Sequence, residues 1–233
     1  MTTRFPGGIN DHASGNAGMG QFYPQLDPTR YVRYFNDFHN YTAGDWTVTA
    51  VGISTIATTT TTGFQGGALV FTGDVNDNDG VQAQLVQESF KLAVGKKVWL
   101  RTRFKLSDAT DSDALIGLAI TDTTLCASLP SDGLYFLKAD DATTLIASTR
   151  LNGASSSITM GSMANDTVVL AELYYDGKNT FKAFLNGSPV GTDITATTNL
   201  CDDEFLTVSM ALLNGAAASK TMHVDFIEVL MER

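Results

Sequence analysis

Residues 168–187 read VVLAELYYDGKNTFKAFLNG, and this stretch decides the fold. Two runs rich in apolar residues, Val168 to Tyr175 and Phe181 to Leu185, lead into Asp176-Gly177 and Asn186-Gly187. Asp-Gly and Asn-Gly are the strongest short signals for a β-hairpin, because both central residues of the tight turn need positive φ. The stretch therefore predicts consecutive antiparallel strands joined by short turns.

The same organisation continues over the rest of the chain from Tyr34 onward. Between Val98 and Leu106, apolar residues alternate with Arg101, Arg103 and Lys105, which is typical of a strand with one buried face. Further strand patterns lie at residues 47–51, 68–71, 115–120, 134–137, 206–212 and 221–231. No window longer than about ten residues keeps the apolar repeat of a helix without a glycine or a β-branched cluster. Many short strands without alternating helices predict an all-β sandwich of the jelly-roll kind.

Residues 1–33 differ from this pattern and predict an extended N-terminal arm in front of a single sandwich domain at residues 34–233. The run from Pro6 to Asn16 has neither helical nor strand periodicity, so it cannot bury enough apolar surface to order itself alone. Apolar side chains nevertheless recur along the arm: Phe5, Met19, Phe22, Tyr23 and Leu26. Their spacing favours docking onto a neighbouring subunit or a larger assembly, with a disordered tail as the alternative.

The charge of the chain excludes some classes of partner. The net charge is −10, from 25 acidic and 15 basic residues, and the sequence pI is about 4.5. Nucleic acids and anionic membranes are bound through basic patches, so we expect neither as the main partner. The sequence has no apolar run of about 18 residues and no signal-like start. We therefore expect synthesis in a cytoplasm, with export by a route that needs no signal as the alternative. Cys126 and Cys201 would then stay unpaired thiols, with a disulfide as the alternative.

The residue patterns of hydrolytic enzymes are missing from the sequence. A Ser-His-Asp triad needs a positioned histidine, and the three histidines (His12, His39 and His223) are scattered without a Gly-x-Ser-x-Gly motif. Glycoside hydrolysis needs two carboxyl groups in one cleft, about 5–10 Å apart. Asp225 and Glu228 are three positions apart, so they would point to opposite faces of a regular strand. We therefore predict no catalytic residue and no enzymatic activity.

An acidic stretch at residues 74–80 could hold calcium through carboxylate and amide oxygens. Counted from Asp74, however, glycine is seventh rather than sixth and position twelve is Leu85 rather than glutamate, so the EF-hand pattern fails. Asp74, Asn76 and Asn78 are therefore only weak metal candidates, and a solvated turn is the alternative. Cysteines and histidines lack the paired spacing of a zinc site, and we predict no cofactor.

Trp99 is the most informative aromatic residue outside the predicted core. It lies on the polar face of its strand, between Lys97 and Arg101. An outward tryptophan flanked by cations suits a platform for sugar or a protein interface, whereas burial at a bulge is the alternative. Tyr174 and Tyr175 are further candidates for contact with a sugar or a partner.

Several segments resemble known families. Residues 34–38 (YFNDF) and 44–48 (GDWTV) resemble the opening of virion structural proteins of tailed phages, notably those infecting marine bacteria and cyanobacteria. Residues 173–177 (LYYDG) and 184–187 (FLNG) resemble the paired hairpins of concanavalin-A-like, or laminin-G-like, jelly rolls, and residues 224–229 (VDFIEV) are similar to the last strand of that fold. Glycosidases of this fold carry a Glu-x-Asp-x-x-Glu strand, which this sequence lacks. The resemblance implies a concanavalin-A-like jelly-roll β-sandwich without catalytic activity.

The resemblance and the arm together imply a capsid decoration, or cement, protein on the exterior of a virion. Such a protein would bind the major capsid protein through residues 1–33. It would also form a homo-oligomer, with a trimer favoured because a small oligomer gains from multivalent attachment. The alternative is a carbohydrate-binding module of a head or tail fibre that contacts a glycan on the host surface.

Overall fold

The structure, a computed structural model, describes residues 28–59 and 64–233. Within these ranges the chain forms 15 strands and a 3-10 turn at Ala43–Asp45, and it has no helix long and apolar enough to cross a membrane. In chain order the strands are β1 (Tyr31–Asn36), β2 (Trp46–Val51), β3 (Thr55–Thr59), β4 (Ala68–Thr72), β5 (Gly80–Leu85), β6 (Val98–Leu106), β7 (Ser112–Ala119), β8 (Gly133–Lys138), β9 (Thr144–Leu151), β10 (Ala154–Ser162), β11 (Val169–Tyr175), β12 (Phe181–Leu185), β13 (Ser188–Ile194), β14 (Thr207–Asn214) and β15 (Thr221–Glu232).

The strands form two antiparallel sheets that pack against each other as a sandwich. The eight-stranded sheet has the order β13-β12-β11-β6-β15-β4-β3, and β1 pairs with β15 as its eighth strand. The seven-stranded sheet has the order β10-β9-β8-β7-β14-β5-β2. Apolar side chains from both sheets form one core, which includes Phe71, Phe104, Phe136 and Met210. The predicted all-β sandwich is confirmed.

The two predicted hairpins form, but only one has the predicted tight turn. Asn186 and Gly187 alone separate β12 from β13, and their φ angles of 52° and 78° are both positive, as a two-residue turn requires. Five residues instead connect β11 to β12. Here the Asp176 carboxylate accepts hydrogen bonds from the backbone N–H groups of residues 178, 179 and 180. The Asp-Gly turn prediction was therefore wrong in length, because the aspartate caps a wider loop through its side chain.

The outer face of the seven-stranded sheet is covered by the segment between β7 and β8. The Gln82 side chain on β5 donates a hydrogen bond to the Asp122 carbonyl oxygen and accepts one from the Leu125 N–H. These two bonds attach the segment to β5. Leu125 then packs with Leu115, Tyr135 and other apolar residues in a second, smaller cluster. This segment therefore covers the middle of that outer face, over β5, β7, β8 and β14.

β1 crosses the boundary that we placed between arm and sandwich after residue 33. It pairs antiparallel with β15 from Tyr31↔Glu232 to Asn36↔Ile227. The sequence pattern concealed this strand because it is short and follows a proline-containing segment. The five apolar residues proposed as docking anchors of the arm (Phe5, Met19, Phe22, Tyr23 and Leu26) lie outside the described residues.

The two cysteines are free thiols in the folded chain. Cys201 is fully buried, and its Sγ lies 4.0 Å from Thr149 Oγ1. Burial in this apolar environment raises the pKa of the Cys201 thiol to about 12. A thiol with such a pKa is almost entirely protonated near neutral pH, and it acts as a packing residue.

Candidate binding surface

Three aromatic side chains lie side by side on the outer face of the eight-stranded sheet. Alternation along β6 turns Trp99 and Arg101 outward while their neighbours enter the core, as predicted. The same alternation turns Tyr174 outward on β11 and Phe184 outward on β12. Because β6, β11 and β12 are adjacent, these rings form one continuous surface. We call Trp99, Tyr174 and Phe184 the aromatic platform.

The geometry of the aromatic platform is centred on Trp99. Tyr174 is its direct cross-strand partner, with ring centroids 5.3 Å apart and planes inclined by 49°. Phe184 is nearly parallel to the indole, with an angle of 10° and a centroid distance of 6.2 Å. Trp99 keeps 37% of its surface exposed, whereas Tyr174 and Phe184 are half-buried. Three strands about 4.8 Å apart make this apolar surface roughly 10 Å wide.

Tyr175, which we proposed beside Tyr174 as a contact residue, lies in the core instead. Its side chain is fully buried and stacks on Phe181 at a centroid distance of 4.6 Å. The hydroxyl donates to the Lys178 carbonyl oxygen at 3.1 Å. Successive residues of a strand point to opposite faces, so Tyr174 and Tyr175 cannot both face outward here.

Two shallow depressions flank the Trp99 indole. One, of about 240 Å³, is lined by Trp99, Arg101, Glu228 and Leu230. The other, of about 140 Å³, lies between Trp99 and the neighbouring ends of β1 and β15, where Tyr31 and Glu232 contribute to its wall. The aromatic platform is thus bordered by groups that can donate or accept hydrogen bonds.

A buried glutamate ties three strands together beside the platform. The Glu228 side chain on β15 is only 8% exposed, and its Oε1 lies 2.7 Å from Arg33 Nε on β1. Its Oε2 lies 2.6 Å from both Nε and Nη2 of Arg101 on β6. Charge-assisted hydrogen bonds of this length are among the strong ones, so they set the position of both guanidinium groups. We call Glu228, Arg33 and Arg101 the arginine clamp.

Asp225 faces the same side as Glu228, contrary to the prediction for a regular strand. The pairing of β15 with β6 shifts register between Val224 and Phe226, which marks a bulge at Asp225. A bulge adds one residue and reverses the alternation beyond it. Asp225 therefore pairs with Arg103 at 2.8 Å on the face where Glu228 pairs with Arg101.

The acidic stretch proposed as a weak calcium site uses its side-chain oxygens in hydrogen bonds within its own turn and to the loop at Ile53. Asp74 accepts hydrogen bonds from the backbone N–H groups of Ile53 and Val75, at 2.9 and 2.8 Å. Asn76 and Asn78 donate their side-chain amides to neighbouring aspartates at 2.8 and 2.9 Å. Among residues 28–59 and 64–233, no group of three or more His, Cys, Asp and Glu side chains is placed to hold a metal ion.

Sequence reasoning missed two residues of this surface, Phe184 and Arg33. Phe184 lies ten positions after Tyr174, and the five-residue loop between their strands places it diagonally from Trp99. A correct register for the hairpin at residues 168–187 would have revealed it. Arg33 lies in the first half of β1, which was assigned to the arm, so no local signal connected it with Glu228.

No protein-family model matches the chain, and no curated protein matches it in sequence. Several solved structures are similar in fold. The carbohydrate recognition domain of Emp47p has a TM-score of 0.61 at 14% identity, over 88% of this chain and 98% of that one. The endo-1,3-β-glucanase from Streptomyces sioyaensis has a TM-score of 0.57 at 11% identity, over 89% and 98%. The endo-β-1,4-glucuronan lyase from the fungus Trichoderma reesei has a TM-score of 0.54 at 13% identity, over 84% and 94%.

Identities of this size show the fold and nothing beyond it. One of the three structures is a carbohydrate recognition domain and two are enzymes. Their likeness agrees with the two facing antiparallel sheets described above. The sandwich is therefore a concanavalin-A-like jelly roll, as its hairpins implied.

Proposed function

We propose that the chain is a non-catalytic carbohydrate-binding domain, and that the aromatic platform of Trp99, Tyr174 and Phe184 is its glycan-binding surface. The observation that carries the proposal is the outward presentation of three neighbouring rings on adjacent strands. Sugar rings have an apolar C–H face and a hydroxyl rim, so they suit a flat aromatic surface bordered by polar groups. The fold supports the proposal because a carbohydrate recognition domain shares it.

The charges around the platform favour an uncharged glycan. Arg101 and Arg103 are paired with Glu228 and Asp225, and Lys182 lies 3.3 Å from Asp193. An acidic polysaccharide would have to compete for these three cations with carboxylates of the protein itself. Lys97 beside Trp99 is the one cation outside these pairs among the described residues that line the two depressions. A neutral chain would instead stack on the rings and exchange hydrogen bonds with the rim.

The two acidic residues that β15 presents on this face, Asp225 and Glu228, favour binding without catalysis. Glycosidases need one carboxyl group that carries a proton and a second that acts as base or nucleophile. Asp225 and Glu228 each form an ion pair with arginine, and Glu228 forms two. In this arrangement the carboxylates act as ties between strands.

A binding screen with a matched pair of variants tests the proposal. The wild-type protein should bind at least one neutral glycan on an array. Its electrophoretic migration should be slower in gels that contain that polysaccharide than in gels without it. Trp99→Ala should lose about tenfold or more in affinity, since truncating a hot-spot tryptophan of a binding surface typically costs about 2 kcal/mol or more. Phe205→Ala is the control, because Phe205 is 52% exposed but lies in the segment before β14, in the other sheet. Absence of glycan binding, or equal loss in both variants, would overturn the proposal.

We propose capsid decoration as a second function, which one structural feature favours. The chain directly after residue 27 is held firmly to the sandwich: Arg233 Nε lies 2.9 Å from the Pro28 carbonyl oxygen, and the Arg233 N–H donates to the Arg30 carbonyl oxygen at 2.7 Å. A partner bound to an arm that is attached here would therefore be held close to the eight-stranded sheet. The virion location and the trimer belong to this proposal.

Truncation at Pro28 separates the arm from the fold. A chain beginning at Pro28 keeps β1, and it should melt like the full chain while failing to co-sediment with phage capsids. The full chain should co-sediment and should have the mass of a trimer in light scattering. Unchanged capsid binding by the truncated chain contradicts the role of the arm.

A further inference from the structure

A cleft of about 410 Å³ lies at an edge of the sandwich, away from the aromatic platform. It is enclosed by the end of β1, the 3-10 turn at Ala43–Asp45 and the chain that follows β5. Its volume falls within the range of about 300–1,000 Å³ that small-molecule sites occupy. Tyr34, which lines it, packs against the core, whereas the platform is on the opposite face of its sheet. We call this space the edge cleft.

The wall of the edge cleft is preformed by an unusual backbone turn. Phe38 has a φ of 53°, in the left-handed region, and its buried ring lies 6.4 Å from Trp46. The Phe38 N–H donates to Asn36 Oδ1 at 2.9 Å. Because that oxygen is engaged, the Asn36 amide nitrogen points toward Tyr34 Oη, 3.4 Å away. A non-glycine residue keeps such a conformation only where its surroundings hold it, here the Asn36 hydrogen bond and the packing on Trp46.

The 3-10 turn is joined to the segment after β5 by backbone hydrogen bonds. The Val86 N–H donates to the Asp45 carbonyl oxygen at 3.1 Å, and the Asp45 N–H donates to the Thr42 carbonyl oxygen at 3.0 Å. These bonds use the backbone of Asp45 and leave its carboxylate at the cleft. Burial, together with the charge of Asp45, raises the pKa of Tyr34, so the phenol stays protonated and can donate a hydrogen bond.

The side chains of the edge cleft select for a class of ligand. Its lining residues include two with hydroxyl groups (Tyr34 and Ser89), two with amides (Asn36 and Gln87) and one with a carboxylate (Asp45). Among the described residues that line it, none is lysine, arginine or histidine. An anion would meet a carboxylate with no cation to compensate, at a cost in free energy. A neutral molecule with many hydroxyl groups could both donate to and accept from these side chains.

We infer that the edge cleft binds a small neutral saccharide. The indole of Trp46 gives an apolar floor, and Tyr34, Asn36 and Asp45 supply the hydrogen bonds that orient the sugar. This second site does not rest on the function proposed for the aromatic platform, because the two surfaces share no residue.

Titration with free sugars tests the inference. The probes are glucose, galactose, mannose, N-acetylglucosamine and their neutral disaccharides, followed by amide and side-chain NMR shifts of the full chain. Two variants address the cleft. Asp45→Asn removes a charged acceptor at an exposed position, and Gly44→Leu adds a side chain where a Cβ meets no atom within 4 Å. Trp99→Ala is the control for the other surface.

At least one probe should shift resonances of Asn36, Gly44 and Gln87. Asp45→Asn should weaken that binding about tenfold, because hydrogen bonds to charged groups are roughly twice as strong as neutral ones. Gly44→Leu should weaken it at least as much, while Trp99→Ala leaves it unchanged. The inference is overturned if no neutral sugar shifts these resonances, if glucuronate binds more tightly than glucose, or if both cleft variants bind like wild type.

Discussion

Replacing Glu228 with glutamine should destabilise the sandwich by an amount that follows from the arginine clamp. The substitution keeps the shape of the side chain and removes its charge. Arg33 and Arg101 would then face each other across a neutral amide, and the tie between β1 and β6 would weaken. The first change should be local: the backbone amides of β1 should lose their protection against hydrogen exchange.

The size of the effect can be worked from the two ion pairs. A hydrogen bond to a charged partner contributes about 1.5–3 kcal/mol. The arginine side chains are 30% and 40% exposed, so solvent screening reduces each pair to about 1–1.5 kcal/mol. Two pairs together give a loss of about 2–3 kcal/mol. In a chain of this length, about 2–4 °C in Tm corresponds to each kcal/mol, so Tm should fall by roughly 4–12 °C.

Chemical denaturation and hydrogen exchange of wild type and Glu228→Gln measure this loss. The matched control is Asp193→Asn, which breaks the exposed pair with Lys182 and should cost less than about 1 kcal/mol. Amide exchange in β1 should accelerate in Glu228→Gln and not in the control. The reasoning is refuted if Glu228→Gln is no less stable than the control, or if β1 keeps its protection.

Three further predictions concern the fold. Gly187→Ala should lower the free energy of unfolding by about 1 kcal/mol in chemical denaturation, because the φ of residue 187 is 78° and a Cβ there gains no contact within 4 Å. An unchanged free energy of unfolding would contradict the tight turn. The Lys220 ammonium lowers the pKa of Asp108 from 3.8 to about 2, so its stabilisation is present above pH 4 and is lost as pH falls toward 2. In Asp108→Asn, the free energy of unfolding should not show this decrease between pH 4 and pH 2. A decrease as large as in wild type would contradict the pairing of Asp108 with Lys220. In a Cys126→Ser background, Cys201 should be alkylated only as fast as the protein unfolds, because its thiol is buried. Fast alkylation of the native protein would show that this thiol is accessible.

The sandwich itself could be predicted because its signals are local. Alternation between Val98 and Leu106 identified the outward direction of Trp99, and Asn186-Gly187 identified a two-residue turn. Each of these depends only on neighbours in sequence, such as side-chain alternation or the φ that a turn requires.

The parts that sequence did not reveal depend on partners distant in the chain. The bulge at Asp225 became visible only in the register of β15 against β6, and it reversed the expected orientation of Asp225 relative to Glu228. The arginine clamp joins residues 195 positions apart. Alternation allows only one of Tyr174 and Tyr175 to face outward, and it is the packing of the hairpin that buries Tyr175 against Phe181.

The most direct test of the account is a map of where a bound glycan contacts the protein. Labelled protein titrated with the neutral glycan selected on the array should show its largest shifts at the Trp99 indole and at the Tyr174 and Phe184 rings. Intermolecular contacts should connect these rings with the C–H face of the sugar. Contacts confined to the covered, seven-stranded sheet, or binding that leaves the Trp99 indole unshifted, would contradict the central claim.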